Sequence, residues 1–475
     1  MVFSSETFLF LFLPLFLALY YLTPFRFRSA LILAGSYLFY GWWRFDFLLL
    51  LFLTTVWAYG LGHMIYVNRG TQRATLYCAI GVTGCLMVLG VFKYLNFFID
   101  SFAALLGTDA AGLDIHWRLI LPIGVSFYVF HSISYLVDVY RGDAKPPRSF
   151  FDFAAFIALF PQLVAGPILR FKDLAHQFEH RTHTPELFAD GMARFTIGLG
   201  KKVLIADSIA PLADLAFATP DPTAPVAWLG GIAYMLQLYF DFSGYSDMAV
   251  GLGKMMGFRF HDNFDAPYTS GSITEFWRRW HISLSVWLRD YLYIPLGGNR
   301  LGEGRTYVNL MLVMVLGGLW HGANWTFVLW GLWHGGWLAY ERWSGLARAP
   351  KTAWAIGRTL LVVLIGWVAF RSVDFGHAVG FYGAMLGTNG FAVPFDIAIQ
   401  ITRESLVVGC LAIVIAGLEP RLRDLSQRHY YVPRPDGTLA VTDTLVPVLV
   451  TTAIFVLCLM RLAEQSFSPF LYFQF

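Results

Sequence analysis

The sequence predicts an all-α, polytopic membrane protein. Hydrophobic residues fill 57% of its 475 positions and charged residues only 14%, a balance too apolar for a soluble domain of this length. Its apolar runs have the length of helical spans, and lipid favours helices because they satisfy their own backbone hydrogen bonds. The net charge of +3 gives no indication of a nucleic-acid partner. The four cysteines lie in apolar runs without metal-type spacing, so no metal site is expected.

Twelve apolar segments are predicted to cross the bilayer. A hydrocarbon core about 30 Å thick requires roughly 20 apolar residues per helix. The first segment follows Glu6 and lacks the basic leader of a signal peptide, so we expect it to remain as an anchor. The segments lie near residues 7–23, 29–43, 47–67, 75–95, 118–140, 192–217, 226–250, 306–320, 326–340, 354–370, 404–418 and 444–462.

The charges of the connecting loops predict the orientation of the chain. Lysine and arginine concentrate in alternate loops such as 141–148 and 342–351, whereas 97–116 and 218–225 carry few cations. The positive-inside tendency assigns the cation-rich loops to the cytoplasm. Twelve crossings then leave both termini on the outer side.

Two stretches are too polar to span the membrane yet rich in aromatic residues. They cover residues 141–191 and 251–305. We expect both to form amphipathic or re-entrant helices on the cytoplasmic side. For 141–191, an ordinary interfacial cap on the helix bundle is an equal alternative.

The second of these stretches predicts a helix with one polar face. Ser272 and Glu275 have the spacing of a capping box, so the helix is expected to begin near Ile273 and to end before Pro295. Spacings of three and four residues place one set of polar side chains on one face: Thr274, Arg278, His281, Ser285 and Arg289. Such a face suits an anionic ligand, although arginines of an interfacial helix can instead contact lipid phosphates. The lipid role is the expected one for Arg279, which lies off the polar face.

A second histidine, His321, closes the apolar run VNLMLVMVLGGLW. The surrounding glycines and asparagine, residues 317, 318, 322 and 324, favour close helix packing or a broken turn. Trp320, Trp325 and Trp330 are expected to form the walls of a dry cavity. An imidazole at membrane depth is costly, so the pair His321 and His281 is the predicted functional site. A lone membrane histidine can simply join two helices, and we assign His334 such a packing role.

Three strings carry a resemblance to a known family. They are YFDFSGYSDMAVGLG at 239–253, SITEFWRRWHISLSVWLRDYLYIPLGGNR at 272–300 and LGGLWHGANWTFVLWGLWHG at 316–335. They resemble the membrane-bound O-acyltransferase family, in particular its bacterial branch that acetylates exported polysaccharide. The likeness runs almost end to end, which implies a single membrane-embedded domain over 1–475 with its helices around a central tunnel. One departure is His131, where a glutamine is expected, and His131 is given no catalytic role.

The resemblance implies an acyltransferase of the bacterial inner membrane. Its donor would be cytoplasmic acetyl-CoA, with no permanently bound cofactor, and its acetyl group would pass to periplasmic partners of the SGNH type that modify a polysaccharide such as alginate. The family roles fall on His321 as catalytic histidine and on His281 as the second motif position. Chemistry favours an imidazole base at this position, because an unperturbed imidazole has a pKa near neutral pH. His281, with Ser285 nearby, would orient the thioester carbonyl or stabilise its oxyanion.

The remaining positively charged residues and the tail complete the predicted site. Arg278, Arg289 and also Arg279 would hold the phosphates of coenzyme A. The C-terminal tail, residues 463–475, is expected in the periplasm and contains Tyr472 in SFSPFLYFQF. A similar aromatic tail belongs to a companion protein in the teichoic-acid branch of the family. We therefore hypothesise that Tyr472 accepts the acetyl group transiently, with an interfacial aromatic anchor as the equal alternative.

Other functions fit parts of the pattern. A transporter, a flippase or a structural subunit of an export complex would also place charged residues in apolar spans. Within the family, the alternatives are acetylation of cellulose or another polysaccharide and D-alanyl transfer to teichoic acid. The final polymer does not follow from the chain, because soluble partners can perform the last transfer.

Overall fold

The computed structural model describes residues 1–433, 439–441, 445–464 and 470–471. The chain divides into two compact units, one comprising Met1–His183 with Met256–Phe260 and the other Thr184–Met255 with His261–Phe475. Both units are built from helices, as predicted. The single-domain organisation stays a prediction.

The first unit packs its helices around an aromatic interior. Its helices are α1 Leu13–Leu22, α2 Arg28–Gly41, α3 Asp46–Val67, α4 Gln72–Leu89, α5 Leu95–Leu105, α6 Val125–Arg141, α7 Phe150–Ala158, α8 Phe160–Leu163 and α9 Phe171–Glu179. Turns of π-helix at Thr7–Phe12 and Gly90–Tyr94 extend α1 and join α4 to α5. The stretch 141–191 dips into the unit rather than lying on it, because Phe153–Leu163 is buried throughout. His131 of α6 is buried against Phe156, with ring centroids 5.6 Å apart.

The second unit contains the described residues that were predicted for the functional site. Its helices are α10 Pro185–Gly200, α11 Asp207–Ala218, α12 Ala224–Met255, α13 Ile273–Arg279, α14 Ile282–Leu288, α15 Glu303–His321, α16 Trp325–Ser344, α17 Ala353–Arg371, α18 Phe375–Met385, α19 Phe395–Ala398, α20 Arg403–Tyr430 and α21 Leu445–Glu464. π-helical turns at Lys201–Ala206 and Arg289–Tyr293 link α10 to α11 and prolong α14. A short antiparallel pair of strands, β1 Tyr431–Pro433 and β2 Leu439–Val441, follows α20.

The first family-like string forms the buried centre of this unit. Helix α12 carries it, and glycines let its backbone approach α10 closely. A Cβ at Gly244 would lie 2.7 Å from the Gly198 carbonyl oxygen, and one at Gly251 would lie 2.5 Å from that of Gly191. A side chain at either position would therefore separate the two helices.

Acidic residues of α12 tie the same helices together by ion pairs. Asp247 of α12 accepts a hydrogen bond of 2.7 Å from Arg194 and one of 2.8 Å from Lys201. Buried charges are costly unless they are paired, so these contacts explain how carboxylates can lie in an apolar helix.

The predicted spans agree in position with the helices, since each of the twelve overlaps a helical segment. Within the described part of the chain, five helices are long and apolar enough to cross a membrane: Asp46–Val67, Gln72–Leu105, Ala353–Arg371, Arg403–Leu425 and Leu445–Glu464. Thr7–Leu22 is apolar but shorter. The chain is therefore a multi-pass membrane protein, whereas the count of twelve crossings and the inside-outside orientation stay predictions.

Candidate active site

His321 is the last residue of α15, at the turn into α16. Gly322 leaves the helix in an extended conformation, and Asn324 caps α16 by accepting a hydrogen bond of 3.1 Å from the Thr326 amide. The two helices are in close contact because a Cβ at Gly318 would lie only 2.2 Å from the Phe327 carbonyl oxygen. The predicted broken turn and close helix packing are therefore confirmed.

The imidazole of His321 is nearly buried among aromatic rings. Its ring centroid lies 5.0 Å from that of Trp320, 5.4 Å from Trp330 and 5.3 Å from Phe370. The side chain retains 7% exposure. Because the rings restrain the imidazole on several sides, its orientation is fixed by packing.

His281 lies beside His321, as the pair hypothesis required. The two ring centroids are 6.2 Å apart. Phe242 of α12 presses edge to face on the His281 ring at 4.7 Å, and Trp320 lies 6.1 Å away. The structure thus brings together two histidines that are separated by forty positions in the sequence.

The single polar helical face predicted across residues 274–289 is wrong. Helix α13 ends at Arg279, and His281 adopts a left-handed backbone with φ of 45° before α14 begins at Ile282. The chain therefore bends between the two helices, and the spacing of three and four residues does not continue across the bend. The predicted start is right: Ser272 caps α13, accepting a hydrogen bond of 3.0 Å from the Glu275 amide.

The bend is held by Asn263, a residue that the sequence analysis did not single out. The side-chain oxygen of Asn263 contacts the Ser283 amide at 3.1 Å, the Ser283 hydroxyl at 2.9 Å and His281 Nδ1 at 3.2 Å. The Asn263 backbone carbonyl accepts a further bond of 2.9 Å from the Ile282 amide. One asparagine thus caps α14 and holds the imidazole. A lone asparagine in HDNFDAP carries no spacing signal that would have revealed this role.

Glu341 is a second residue missed from the sequence. It is fully buried on α16 and accepts bonds from the first amides of α13, 2.7 Å from Ile273 and 2.8 Å from Thr274. A carboxylate at a helix N-terminus is stabilised by the unpaired amides and by the helix dipole. Glu341 therefore anchors the start of α13. It also binds Thr274, a residue that the sequence had placed on the ligand-binding face.

A cavity of about 260 Å³ opens beside His321. Its walls are mainly apolar, and its polar groups come from four of the lining residues: Ser285, Arg289, Tyr293 and His321. Trp277 and Trp330 form the aromatic part of the wall. Such a pocket, apolar with a few convergent polar groups, has the character of a small-molecule site.

The arginines predicted for coenzyme A occupy different settings. Arg289 lines the cavity and donates a hydrogen bond of 2.7 Å to Asp290. Arg278 is exposed at the end of α13. Arg279 is held by Glu275 at 3.0 Å and by the Asp265 backbone carbonyl at 3.2 Å. Arg289 is therefore the arginine that the structure places with His321 and Ser285, and the phosphate-binding roles stay predictions.

The predicted tryptophan walls are partly correct. Trp330 lines the cavity and Trp320 packs on both histidines, but Trp325 is 57% exposed at the start of α16 and forms no wall. His334 is fully buried between the rings of Trp277 and Trp330, each 5.1 Å away.

The described part of the tail contacts a buried charged cluster formed by Lys202, Asp207 of α11 and Asp241 of α12. Lys202 forms ion pairs with Asp207 at 2.6 Å and Asp241 at 2.9 Å. The Leu471 amide donates a hydrogen bond of 3.1 Å to Asp241, and the ring of Phe470 lies 5.0 Å from the Lys202 ammonium. Both tail residues are buried. Tyr472, the predicted acyl relay, lies outside the described residues.

Comparisons with known proteins agree with the resemblance. The family model for membrane-bound O-acyltransferases matches residues 113–370. A protein of Azotobacter vinelandii named "Probable alginate O-acetylase AlgI" is 51% identical over 501 residues, covering 100% of both chains. One of the same name from Pseudomonas putida is 50% identical over 487 residues, again covering 100% of both. A peptidoglycan O-acetyltransferase of Helicobacter pylori is 36% identical over 433 residues, 83% of this chain and 81% of the relative.

Proposed function

Because the chain belongs to the membrane-bound O-acyltransferase family, we propose that it moves acetyl from cytoplasmic acetyl-CoA to periplasmic partners that O-acetylate alginate. That it is an O-acyltransferase with a place in polysaccharide O-acetylation follows from the family and the relatives. The donor, the direction across the inner membrane and the SGNH-type partners are the proposed part.

The observation that carries the proposal is the pairing of His281 with His321, the histidine that lines the cavity. Their rings are 6.2 Å apart, so a small acyl carbon placed between them lies within reach of both. Ser285 and Arg289 line the same cavity as His321. An apolar pocket that holds an imidazole, a hydroxyl and a guanidinium suits a thioester attached to an anionic carrier.

The proposed chemistry assigns the proton to His321. A hydroxyl oxygen attacks the thioester carbonyl carbon while His321 removes the hydroxyl proton; the carbon–sulfur bond then breaks, and the coenzyme A thiolate takes up the proton. A base matched to neutral pH accelerates such a step by roughly 10²- to 10⁴-fold. His281 is the second imidazole at the acyl centre. The dry aromatic surroundings of His321 would suppress attack by water.

Arg289 is the proposed contact for the donor's phosphates. It lies at the cavity, where a guanidinium can bind a phosphate through two parallel hydrogen bonds. Arg278 and Arg279 would assist from α13, although Arg279 already has Glu275 as a partner. The pantetheine arm would then run along Leu284, Leu288 and Trp277 towards His321.

The docked tail supports a route for the acetyl group out of the cavity. Phe470 and Leu471 are buried beside Lys202 and beside Asp241 of α12, and Tyr472 follows Leu471 in the chain. We propose that the Tyr472 phenol is the hydroxyl that attacks the thioester and that the resulting phenyl ester passes acetyl to a periplasmic partner. Phe470 and Leu471 also suit an anchor role for the tail, so the relay needs its own test.

Purified protein in nanodiscs with radiolabelled acetyl-CoA tests the enzymatic core. Wild type is expected to release coenzyme A, and His321→Ala is expected to reduce the rate at least 10²-fold. His116→Ala is a matched control, because His116 is an exposed histidine of the 97–116 loop. Unchanged turnover in His321→Ala would refute the proposal.

Acetylation of secreted polymer in a producing strain tests the relay. Tyr472→Phe is expected to abolish polymer acetylation and to reduce release of coenzyme A to the same extent, because the attacking hydroxyl is lost. Full polymer acetylation by Tyr472→Phe with the partners present would exclude the relay and leave the tail as an anchor.

A second polymer is the alternative that a relative favours. The Helicobacter pylori relative is named for peptidoglycan, so the same membrane chemistry can supply more than one polysaccharide. NMR of the acetylated polymer from wild type and His321→Ala distinguishes alginate from cellulose or another polymer. D-alanyl transfer would instead appear as dependence on an aminoacylated carrier protein.

A further inference from the structure

The contacts of Asn263 determine which nitrogen of His281 carries the proton. A backbone amide can only donate a hydrogen bond, so the side-chain atom 3.1 Å from the Ser283 amide must be the oxygen of Asn263. The Ser283 hydroxyl, 2.9 Å away, is satisfied as a donor to the same oxygen. The reverse orientation would bring an NH₂ group against that amide. The amide of Asn263 therefore has one acceptable orientation.

The same oxygen lies 3.2 Å from His281 Nδ1. Since a carbonyl oxygen only accepts, Nδ1 must be the donor and must carry a proton. In the neutral ring the other nitrogen, Nε2, then holds the lone pair. His281 is buried, and burial disfavours the charged form of an imidazole, which favours the neutral ring.

From this geometry we propose that Asn263 is a positioning residue that fixes His281 as the Nδ1–H tautomer and presents Nε2 as the acceptor nitrogen. This inference rests on the proposed function, because it assigns a direction to one of the two catalytic imidazoles. Neutral His281 can then only accept a hydrogen bond at Nε2, while the proton of the attacking hydroxyl still goes to His321. The oxyanion role predicted for it from the sequence would require the imidazolium form.

The direction of the His281 ring also depends on the backbone that Asn263 holds. His281 lies in the left-handed region, with φ of 45°, so its ring direction depends on the bend between α13 and α14. Asn263 holds the α14 side of that bend twice, through its side chain to the Ser283 amide and through its carbonyl to the Ile282 amide. Loss of the side-chain acceptor therefore frees the ring without removing the backbone bond.

Three variants separate positioning from mere structural support. Asn263→Leu keeps the volume and removes the acceptor, and it is expected to lower kcat by about 10²-fold with little change in KM for acetyl-CoA. Asn263→Asp retains an oxygen at the same place and is expected to restore most of kcat. It should also move the acid limb of the kcat profile to higher pH, because a carboxylate stabilises the imidazolium. Ser283→Ala removes a neighbouring bond to the same oxygen and is expected to change kcat less than twofold.

Nitrogen NMR of histidine-labelled wild type reads the tautomer without any variant. The expected spectrum has the His281 proton on Nδ1, identified by the signal that disappears in His281→Asn. A proton on Nε2 in an active wild-type sample, or full kcat in Asn263→Leu, would overturn this inference alone. Turnover that persists in His321→Ala would instead overturn the proposed function.

Discussion

The two histidines of the candidate active site are placed by contrasting means. His321 ends a regular helix, and its surroundings come from neighbouring motif residues: the Gly318 contact with Phe327 and the Asn324 cap. His281 instead lies at a bend between two seven-residue helices, and the bend is held by Asn263, eighteen positions earlier. The first arrangement is encoded locally and the second by a distant side chain. Sequence patterns therefore locate His321 well, but find His281 without finding its geometry.

The largest expected effect comes from replacing His281. Two substitutions distinguish the role of its imidazole from the constraint on its backbone. His281→Asn and His281→Val should both lower acetyl transfer by about 10²-fold or more, because each removes the ring. Only His281→Val should also destabilise the protein, by about 1–3 kcal/mol, because a β-branched residue is strained at positive φ whereas Asn tolerates it. Activity assays and thermal unfolding in detergent measure the two effects. Equal melting temperatures would show that the left-handed bend is not a constraint.

Close helix contact at His321 is tested next. Gly318→Ala should destabilise the protein by about 1–3 kcal/mol, because its Cβ would lie 2.2 Å from the Phe327 carbonyl oxygen. Gly336→Ala, on α16 with nothing within 4 Å of its Cβ, is the matched control and should be neutral or slightly stabilising. Thermal unfolding compares them. A Gly318→Ala variant as stable as Gly336→Ala would indicate that the helices can separate freely.

The arginines give a moderate effect on donor affinity. Arg289→Ala should raise KM for acetyl-CoA about 3- to 10-fold, since the side chain lines the cavity and a charged hydrogen bond is worth about 1.5–3 kcal/mol before solvent screening. Arg278→Ala should change KM less than twofold, because Arg278 is exposed on α13. Steady-state kinetics at two salt concentrations make the comparison. A larger effect for Arg278 would place the phosphates on α13 rather than at the cavity.

The smallest effect concerns the tail. Phe470→Leu removes the ring that contacts Lys202 and Tyr245, so docking should weaken by about 1 kcal/mol. Phe470→Tyr retains the ring and serves as the control. Digestion by a carboxypeptidase should be about fivefold faster for Phe470→Leu than for the control. Equal digestion rates would mean that the ring does not hold the tail.

The sequence was sufficient for the fold class, for the positions of the predicted segments and for the pairing of His281 with His321. Apolar runs set the helices, because the membrane leaves the backbone few alternatives. Ser272 and Glu275 correctly predicted the start of α13, since capping depends on adjacent residues. The single polar face failed because periodicity assumes a continuous helix, and nothing near His281 in the chain marks the bend.

The missed residues share a physical cause. Asn263 and Glu341 act through contacts with residues 18 to 68 positions away, and neither forms a motif with its sequence neighbours. Trp325 was assigned to the cavity from its spacing, yet it lies beyond the turn at Gly322 and points outward. Tertiary contacts therefore decided these three positions.

Asn263 lies between the first and second family-like strings, outside both. Grafting the two histidine motifs onto another scaffold would therefore transfer both imidazoles without Asn263, the residue that orients His281. Such a chimera should be built with the linker 256–271 included, and its success or failure with and without that linker would show how much of the catalyst resides between the signatures.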